Sequence, residues 1–229
     1  MESWDEPELI IEGCIKAQQR ILSGYKVHPL LDREKYADAL VPKHAAISLA
    51  GEPTLYPNLG GLVQAFHKRG MTTFIVSNGT SPEVLEKLEE EPTQLYISVC
   101  APDEVTFKNT CRPQIPRAWQ KLNRTLEFLR SFKCPTVLRL TLVRGLNLKN
   151  PKGYAKLIEK ANPLYVEPKA FMYVGYSRNR LTFEDMPTHN DIRGFAKQLS
   201  EETSYKIIEE SVESRVVLLS RLEKARLLG

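Results

Sequence analysis

Gly51-Glu52-Pro53 follows directly on the apolar run Ala45–Ala50, so a glycine and a carboxylate stand where a strand ends. A glycine there lets a ligand approach the backbone closely, and the carboxylate can accept hydrogen bonds from an ammonium group. The tripeptide is equally compatible with a plain turn. Two further residues carry chemistry that a strand could aim. Arg139 has paired donors suited to a carboxylate, and the amine of Lys169 can form a Schiff base with a ketone. Each has a structural alternative, because Glu167 lies on the same alternation and could pair with either.

The four cysteines, Cys14, Cys100, Cys111 and Cys134, form no Cys-x-x-Cys motif. They read as free thiols, with Cys14 and Cys134 as structural residues. The 229 residues suffice for one large domain with a substantial core. A hydrophobic content of 42% and a charged content of 26% exclude general disorder. The net charge of +4 is compatible with a nucleic-acid partner without demanding one. No apolar run reaches membrane-spanning length, and Met1–Glu6 is acidic with no signal-peptide core, so a cytoplasmic location is expected.

The elements that must position these residues alternate between strand and helix. Periodicity predicts helices over Pro7–Leu22, from Asn58 to Gly70, from Ser81 to Leu88, over Arg117–Phe132, from Asn150 to Ala161 and from Thr188 to Leu199. Asn58, Ser81, Asn150 and a Thr188/Asp191 capping box are the expected starts. Strands are expected at Ala45–Ala50, Thr72–Ser77, Leu95–Val99 and Thr136–Val143, then an extended segment Leu164–Val174 interrupted at Pro168. Val27–Pro42 reads as a connection with one short helix, and the tail as strands Tyr205–Glu209 and Arg215–Leu219. Strands separated by helices imply parallel pairing with right-handed crossovers. Five consecutive strand positions follow, in one domain over residues 1–229 with an extension from about residue 175.

Residues two apart share a strand face. One face is expected to carry Ile47, Leu49, Phe74, Val76, Leu95, Ile97, Val99, Leu138, Leu140 and Leu142, all apolar. The other carries Ser48, Thr73, Ser77, Ser98, Cys100, Arg139, Thr141, Glu167 and Lys169. A doubly wound sheet buries both faces and would want both apolar, so the one-sided polarity favours a barrel with a ligand-lined interior.

Ala50-Gly51-Glu52-Pro53 after one strand, Ser77-Asn78-Gly79 after the next and Ser98 on the third resemble the radical S-adenosylmethionine superfamily. Longer segments resemble the 4-demethylwyosine synthases within it: Leu22–Lys26, Pro42–Pro57, Phe74–Thr80, Pro92–Ser98, Arg139–Val143, Gly175–Arg178 and Ser214–Leu219. The resemblance implies an α/β fold, a partial (β/α)6 barrel with a C-terminal α/β extension. It implies formation of the tricyclic base 4-demethylwyosine in tRNA(Phe) from N1-methylguanosine and pyruvate, a step of wybutosine biosynthesis. The implied cofactors are S-adenosylmethionine and a [4Fe–4S] cluster.

By the same resemblance, Gly51 and Glu52 receive the methionine amino group of the cofactor, while Asn78 and Ser98 contact its carboxylate and ribose. Cys100 stands where many relatives have an aspartate. Arg139 would neutralise a carboxylate of cofactor or pyruvate, Lys169 would hold pyruvate as an imine, and Arg178 and Arg180 would bind tRNA phosphates, joined by Arg112, Arg144 and Arg215. The sequence departs from the superfamily pattern in lacking Cys-x-x-x-Cys-x-x-Cys. A first barrel strand and the cluster loop are therefore expected to be missing, with no metal ligand among these residues and a separate N-terminal cluster-binding segment as a partner. A non-catalytic tRNA- or nucleoside-binding paralogue and a cluster-independent pyruvate lyase using Lys169 remain as alternatives.

Overall fold

The computed structural model describes residues 4–48 and 51–226. Leu49 and Ala50, the expected end of the first strand, lie outside the described residues. Strands β1 (His44–Ile47), β2 (Thr72–Ser77), β3 (Gln94–Ser98), β4 (Thr136–Leu142) and β5 (Tyr165–Ala170) are parallel neighbours in chain order. The tail strands β6 (Lys206–Ser211) and β7 (Val216–Ser220) complete a seven-stranded sheet in the order β1-β2-β3-β4-β5-β7-β6, antiparallel beyond β5. Five parallel strands in sequence order with helical crossovers are the expected partial barrel, and the antiparallel pair is its α/β extension.

The helices are α1 (Pro7–Ser23), α2 (Arg33–Ala39), α3 (Leu59–Lys68), α4 (Pro82–Glu86), α5 (Glu104–Cys111), α6 (Ala118–Phe128), α7 (Pro151–Ala161) and α8 (His189–Glu202). Their starts follow local chemistry only in part. The Asn150 side chain accepts from the Gly153 amide, and Thr188 and Asp191 form the expected capping box. Asn58 and Ser81 make no capping bond, so packing rather than capping sets those helix starts. Helix α5 has no apolar stripe to announce it. Its stop is set by Arg112, left-handed at φ 47°.

Helix α1 packs on α3 at the β1 edge, and helices α3, α6, α7 and α8 cover one sheet face. Ile75, Leu95, Ile97, Leu138, Leu140, Leu142 and Val166 are wholly buried there against Leu122, Leu126, Ile158, Ile192 and Leu199. This corrects the expected phase of β2. Register pairs Ile75 with Ile47 and Leu95, so Phe74 and Val76 lie on the open face, half-buried, while Thr73 and Ser77 face the helices. Both polar residues are tolerated because each is bonded. The Thr73 hydroxyl sits 2.8 Å from His67 Nε2 and accepts from the Thr93 amide, and the Ser77 hydroxyl donates to Glu52.

Pro168 does not interrupt its strand. It pairs with Leu140 on one side, and on the other falls between the Val166–Leu219 and Lys169–Val216 pairs, where its missing N–H is not called on. The open face carries Tyr96, Ser98, Cys100, Arg139, Thr141, Glu167 and Lys169, as the alternation predicts. Among the described residues no helix is long and apolar enough to cross a membrane. Cys14 is exposed on α1, which corrects its reading as a structural residue, whereas Cys134 is half-buried and its thiol is pushed up to about 12 by burial and by Glu91.

The strand ends are tied by buried Asn147, which donates to the carbonyls of Cys100 and Thr141 at 2.8 Å each and accepts from the Val143 amide at 2.6 Å. Replacing Asn147 by Ala leaves buried backbone groups unpaired, each costing about 1–3 kcal/mol. Urea unfolding of Asn147→Ala is expected to show a loss of at least about 2 kcal/mol with an unchanged m-value. An unchanged midpoint would show that Asn147 does not tie β3 to β4.

Candidate cofactor site at the strand ends

Glu52 is the pivot of the loop after β1. Its Oε1 accepts from the Thr54 amide at 3.2 Å, the Thr54 hydroxyl at 2.9 Å and the Ser77 hydroxyl at 2.7 Å. Its Oε2 accepts from the Asn78 amide at 2.8 Å. The carboxylate thus spans the ends of β1 and β2, and with one bond on Oε2 it keeps capacity for a further donor. Gly51 sits at φ 101°, a conformation L-residues rarely adopt, with nothing within 4 Å of where a Cβ would stand.

The turn after β2 is bonded to itself. Asn78 Oδ1 accepts from the Thr80 amide and hydroxyl at 2.8 and 2.6 Å, and the Gly79 amide donates to Ser77 Oγ. Gly79 has φ 69°, and a Cβ would stand 2.8 Å from Leu122, so both backbone and packing require glycine.

Glu52, Asn78, Ser98 and Cys100 converge on one cavity of about 430 Å³, a small-ligand volume. Its far wall comes from Phe107 and Cys111 of α5, the loop residues Pro113, Gln114 and Ile115, and Lys121 of α6, with Leu55, Thr80 and Ser81 on the near side. Sequence reasoning missed this second wall because it lies off the strands. The available signal was Asp103 three residues before Thr106, since the Asp103 carboxylate caps α5 by accepting from the Thr106 amide at 2.8 Å. Half-buried Lys121 forms no ion pair among the described residues and presents the cavity's cation. A neighbouring groove of about 520 Å³ shares the 113–115 wall and is lined by Lys108, Arg112, Arg117 and Trp119.

Other sequence candidates lie elsewhere. Arg139 is not on the cavity wall. It pairs with Glu167 at 2.7 and 3.3 Å and lies 4.4 Å over the Tyr96 ring, so of its two readings the structure forms the ion pair. Burial, reinforced by the Glu167 charge, raises the Tyr96 phenol above its ordinary value. Lys169 is half-buried on the same open face, and the alternative Glu167–Lys169 pair is not formed because Glu167 is held by Arg139. Arg144 binds Asp191 and the Glu184 carbonyl, and Arg215 the Pro187 carbonyl, so both brace the fold.

The segment after β5 is more open. Arg178 stacks on Tyr173 at 5.5 Å, Arg180 donates to the Thr110 carbonyl at 3.0 Å, and Tyr176 is 90% exposed. Arg180 thereby brings this segment against the end of α5, beside Arg112. Among the described residues no three His, Cys, Asp or Glu side chains are grouped to hold a metal ion.

Comparison with known proteins fits this geometry. Residues 14–158 match the radical SAM superfamily, and residues 160–221 match a family described as wyosine base formation. The S-adenosyl-L-methionine-dependent tRNA 4-demethylwyosine synthase of Pyrococcus abyssi is 54% identical over 96% of this chain and 66% of the relative. That of Methanocaldococcus jannaschii is 46% identical over 94% of this chain and 68% of the relative. The chain thus spans just under two-thirds of the Pyrococcus relative's length. A structure of TYW1 with a lysine-pyruvate adduct bound superposes with a TM-score of 0.88 at 43% identity, covering 96% of this chain and 70% of that one.

The Thr106 amide holds the Asp103 carboxyl below its ordinary value, aided by the charge of Lys149. A depressed folded-state value means the cap stabilises the protein above the unfolded value of about 3.9, and that contribution fades as pH falls through the lower folded value. Asp103→Asn is expected to flatten the stability profile below about pH 4 in pH-dependent urea titrations, leaving its shape above about pH 5 unchanged. An identical acid limb in both proteins would remove Asp103 from the account.

Proposed function

The chain belongs to the radical SAM superfamily and, within it, to the tRNA 4-demethylwyosine synthase family, and on that premise we propose that it carries the S-adenosylmethionine- and tRNA-facing part of an enzyme forming 4-demethylwyosine from N1-methylguanosine and pyruvate in tRNA(Phe). The observation that carries this reading is the Glu52 carboxylate, braced by Ser77 and Asn78 with Oε2 still able to accept, at the mouth of a cavity of ligand size. In the proposed complex the methionine ammonium donates to Glu52 Oε2, and Gly51 lets the ligand close on the backbone. Ser98 and Asn78 meet the polar edge of the nucleoside, and Lys121 meets the carboxylate. One domain holds both parts, residues from about 175 forming its extension.

The superfamily implies S-adenosylmethionine and a [4Fe–4S] cluster, which when bound supplies the electron for reductive cleavage. The cavity residues fit the first, and a separate segment is proposed to bring the ligands of the second. The work of this chain is to orient the cofactor, exclude water and place the base's methyl group within reach. Arg178 and Arg180 are proposed to hold tRNA phosphates, with exposed Tyr176 nearby in sequence as a stacking surface for an unpaired base.

Lys169 is proposed as the imine-forming lysine, its amine condensing with the pyruvate ketone with loss of water. The support is its place on the open face, clear of the Arg139–Glu167 pair, and the lysine-pyruvate adduct in the solved relative.

Two measurements test these assignments. Calorimetric titration with S-adenosylhomocysteine is expected to show binding that Glu52→Ala weakens at least tenfold; equal affinity for both proteins would refute the cavity as the site. Borohydride trapping of labelled pyruvate is expected to label the wild type and Lys121→Ala but not Lys169→Ala. Label surviving in Lys169→Ala would remove that lysine from the proposal.

A further inference from the structure

Cys100 and Cys111 are used by nothing above, yet they meet. Cys100 follows the end of β3 on the same face as Ser98, and Cys111 is the last residue of α5, 11 positions on in sequence. Both line the cavity that holds Glu52, Asn78 and Lys121. Each thiol is the first influence on the acidity of the other. Both are free, whereas Cys14 is remote on α1 and Cys134 precedes β4 at the opposite end of the sheet. Beyond Cys111 the chain leaves the helix through left-handed Arg112 into the loop carrying Pro113, Gln114 and Ile115, the wall shared with the basic groove.

We propose that Cys100 and Cys111 form a reversible dithiol–disulfide pair in the cavity wall, which on oxidation draws the end of α5 onto β3 and closes the cavity. The chemistry is thiol–disulfide exchange with a small disulfide such as oxidised glutathione. The Cys100 thiolate attacks one external sulfur, breaking that S–S bond and releasing one thiolate. Cys111 then attacks the Cys100 sulfur of the mixed disulfide, forming the intramolecular bond and releasing the second thiol. Two protein thiols are oxidised, one external disulfide is reduced to two thiols, and the two protein protons pass to the leaving groups.

The surroundings favour this order. Cys111 holds the Cys100 thiol below its ordinary value, while Cys100 in turn pushes the exposed Cys111 up, partly offset by Arg180. The nucleophile is therefore Cys100, and the resolving thiol, Cys111, sits at a helix end whose next residue already turns out of the helix. A bond between these sulfurs pulls the 113–115 wall toward Ser98, the narrowing direction for a ligand entering between them.

The test uses the full chain equilibrated with oxidised glutathione, alkylated, digested and mapped by mass spectrometry, with hydrogen–deuterium exchange on the same samples. The expected result is a Cys100–Cys111 crosslink with Cys14 and Cys134 alkylated, reversed by dithiothreitol. Slower amide exchange over residues 111–117 is expected in the oxidised form. Cys111→Ser is expected to stop the reaction at a glutathione adduct on Cys100. Alkylation of both cysteines after oxidation, a crosslink to Cys14 or Cys134, or unchanged exchange over 111–117 would overturn the proposal. A chain that forms the crosslink yet fails to bind S-adenosylhomocysteine when reduced would sustain the dithiol pair and refute the functional reading above.

Discussion

Glu52 is a carboxylate at the end of an edge strand, where water would ordinarily satisfy it and the loop could move freely. Here it accepts bonds from the hydroxyl of Ser77 and the amide of Asn78, one strand over, and from both donors of Thr54 in its own turn. Hydrogen bonds to a charged acceptor are worth about 1.5–3 kcal/mol each, so this single group fixes two strand ends relative to one another. The cavity mouth exists because those ends are held. Its far wall depends in the same way on Asp103, which caps α5, and on Asn147, which pins β3 to β4 from beneath. Three buried or half-buried polar side chains therefore do for the strand ends what the apolar cluster does for the sheet as a whole.

That division of labour follows from a sheet with helices on one side only. The helix-covered face can be apolar and closely packed, and it needs no ligand to be stable. The open face is lined by groups that would be costly to bury unpaired, among them Glu167 with Arg139, Tyr96, Thr141 and Lys169. The Arg139–Glu167 pair shows how such a face is made tolerable without a ligand: a bidentate ion pair neutralises both charges and stacks on Tyr96. This pair shapes the floor beside Lys169, while the cofactor cavity lies nearer β1–β3 with its own cation in Lys121. The open face thus keeps the cavity beside β1–β3 apart from the Arg139–Glu167 pair and Lys169 on β4 and β5.

Much of this was legible in the residues. The alternation of Leu95, Ile97, Leu138, Leu140 and Leu142 placed the core face, and Ser98, Arg139, Glu167 and Lys169 fell on the open face as their parity required. The β2 phase was misread because Thr-Thr-Phe-Ile-Val-Ser is apolar on consecutive positions, and only the pairing of Ile75 with Leu95 shows which apolar residue faces inward. Helix α5 went unseen because Glu104–Cys111 has no apolar periodicity and is held by its cap and by Phe107 packed on Trp119. With α5 missing, Cys111 could not be placed on the cavity that Cys100, Lys121 and Glu52 line. Arg144 and Arg215 look like surface charges in sequence, yet both are bonded to distant backbone carbonyls.

The central claim is that the cavity beneath Gly51 and Glu52 is where this chain receives S-adenosylmethionine. A crystal structure of the reduced chain soaked with S-adenosylhomocysteine addresses it most directly. The account predicts the ligand's ammonium on Glu52 Oε2 and its ribose toward Ser98, between β3 and the 113–115 loop. Ligand seated instead in the groove between Arg112 and Trp119, with the Glu52 cavity empty, would contradict it.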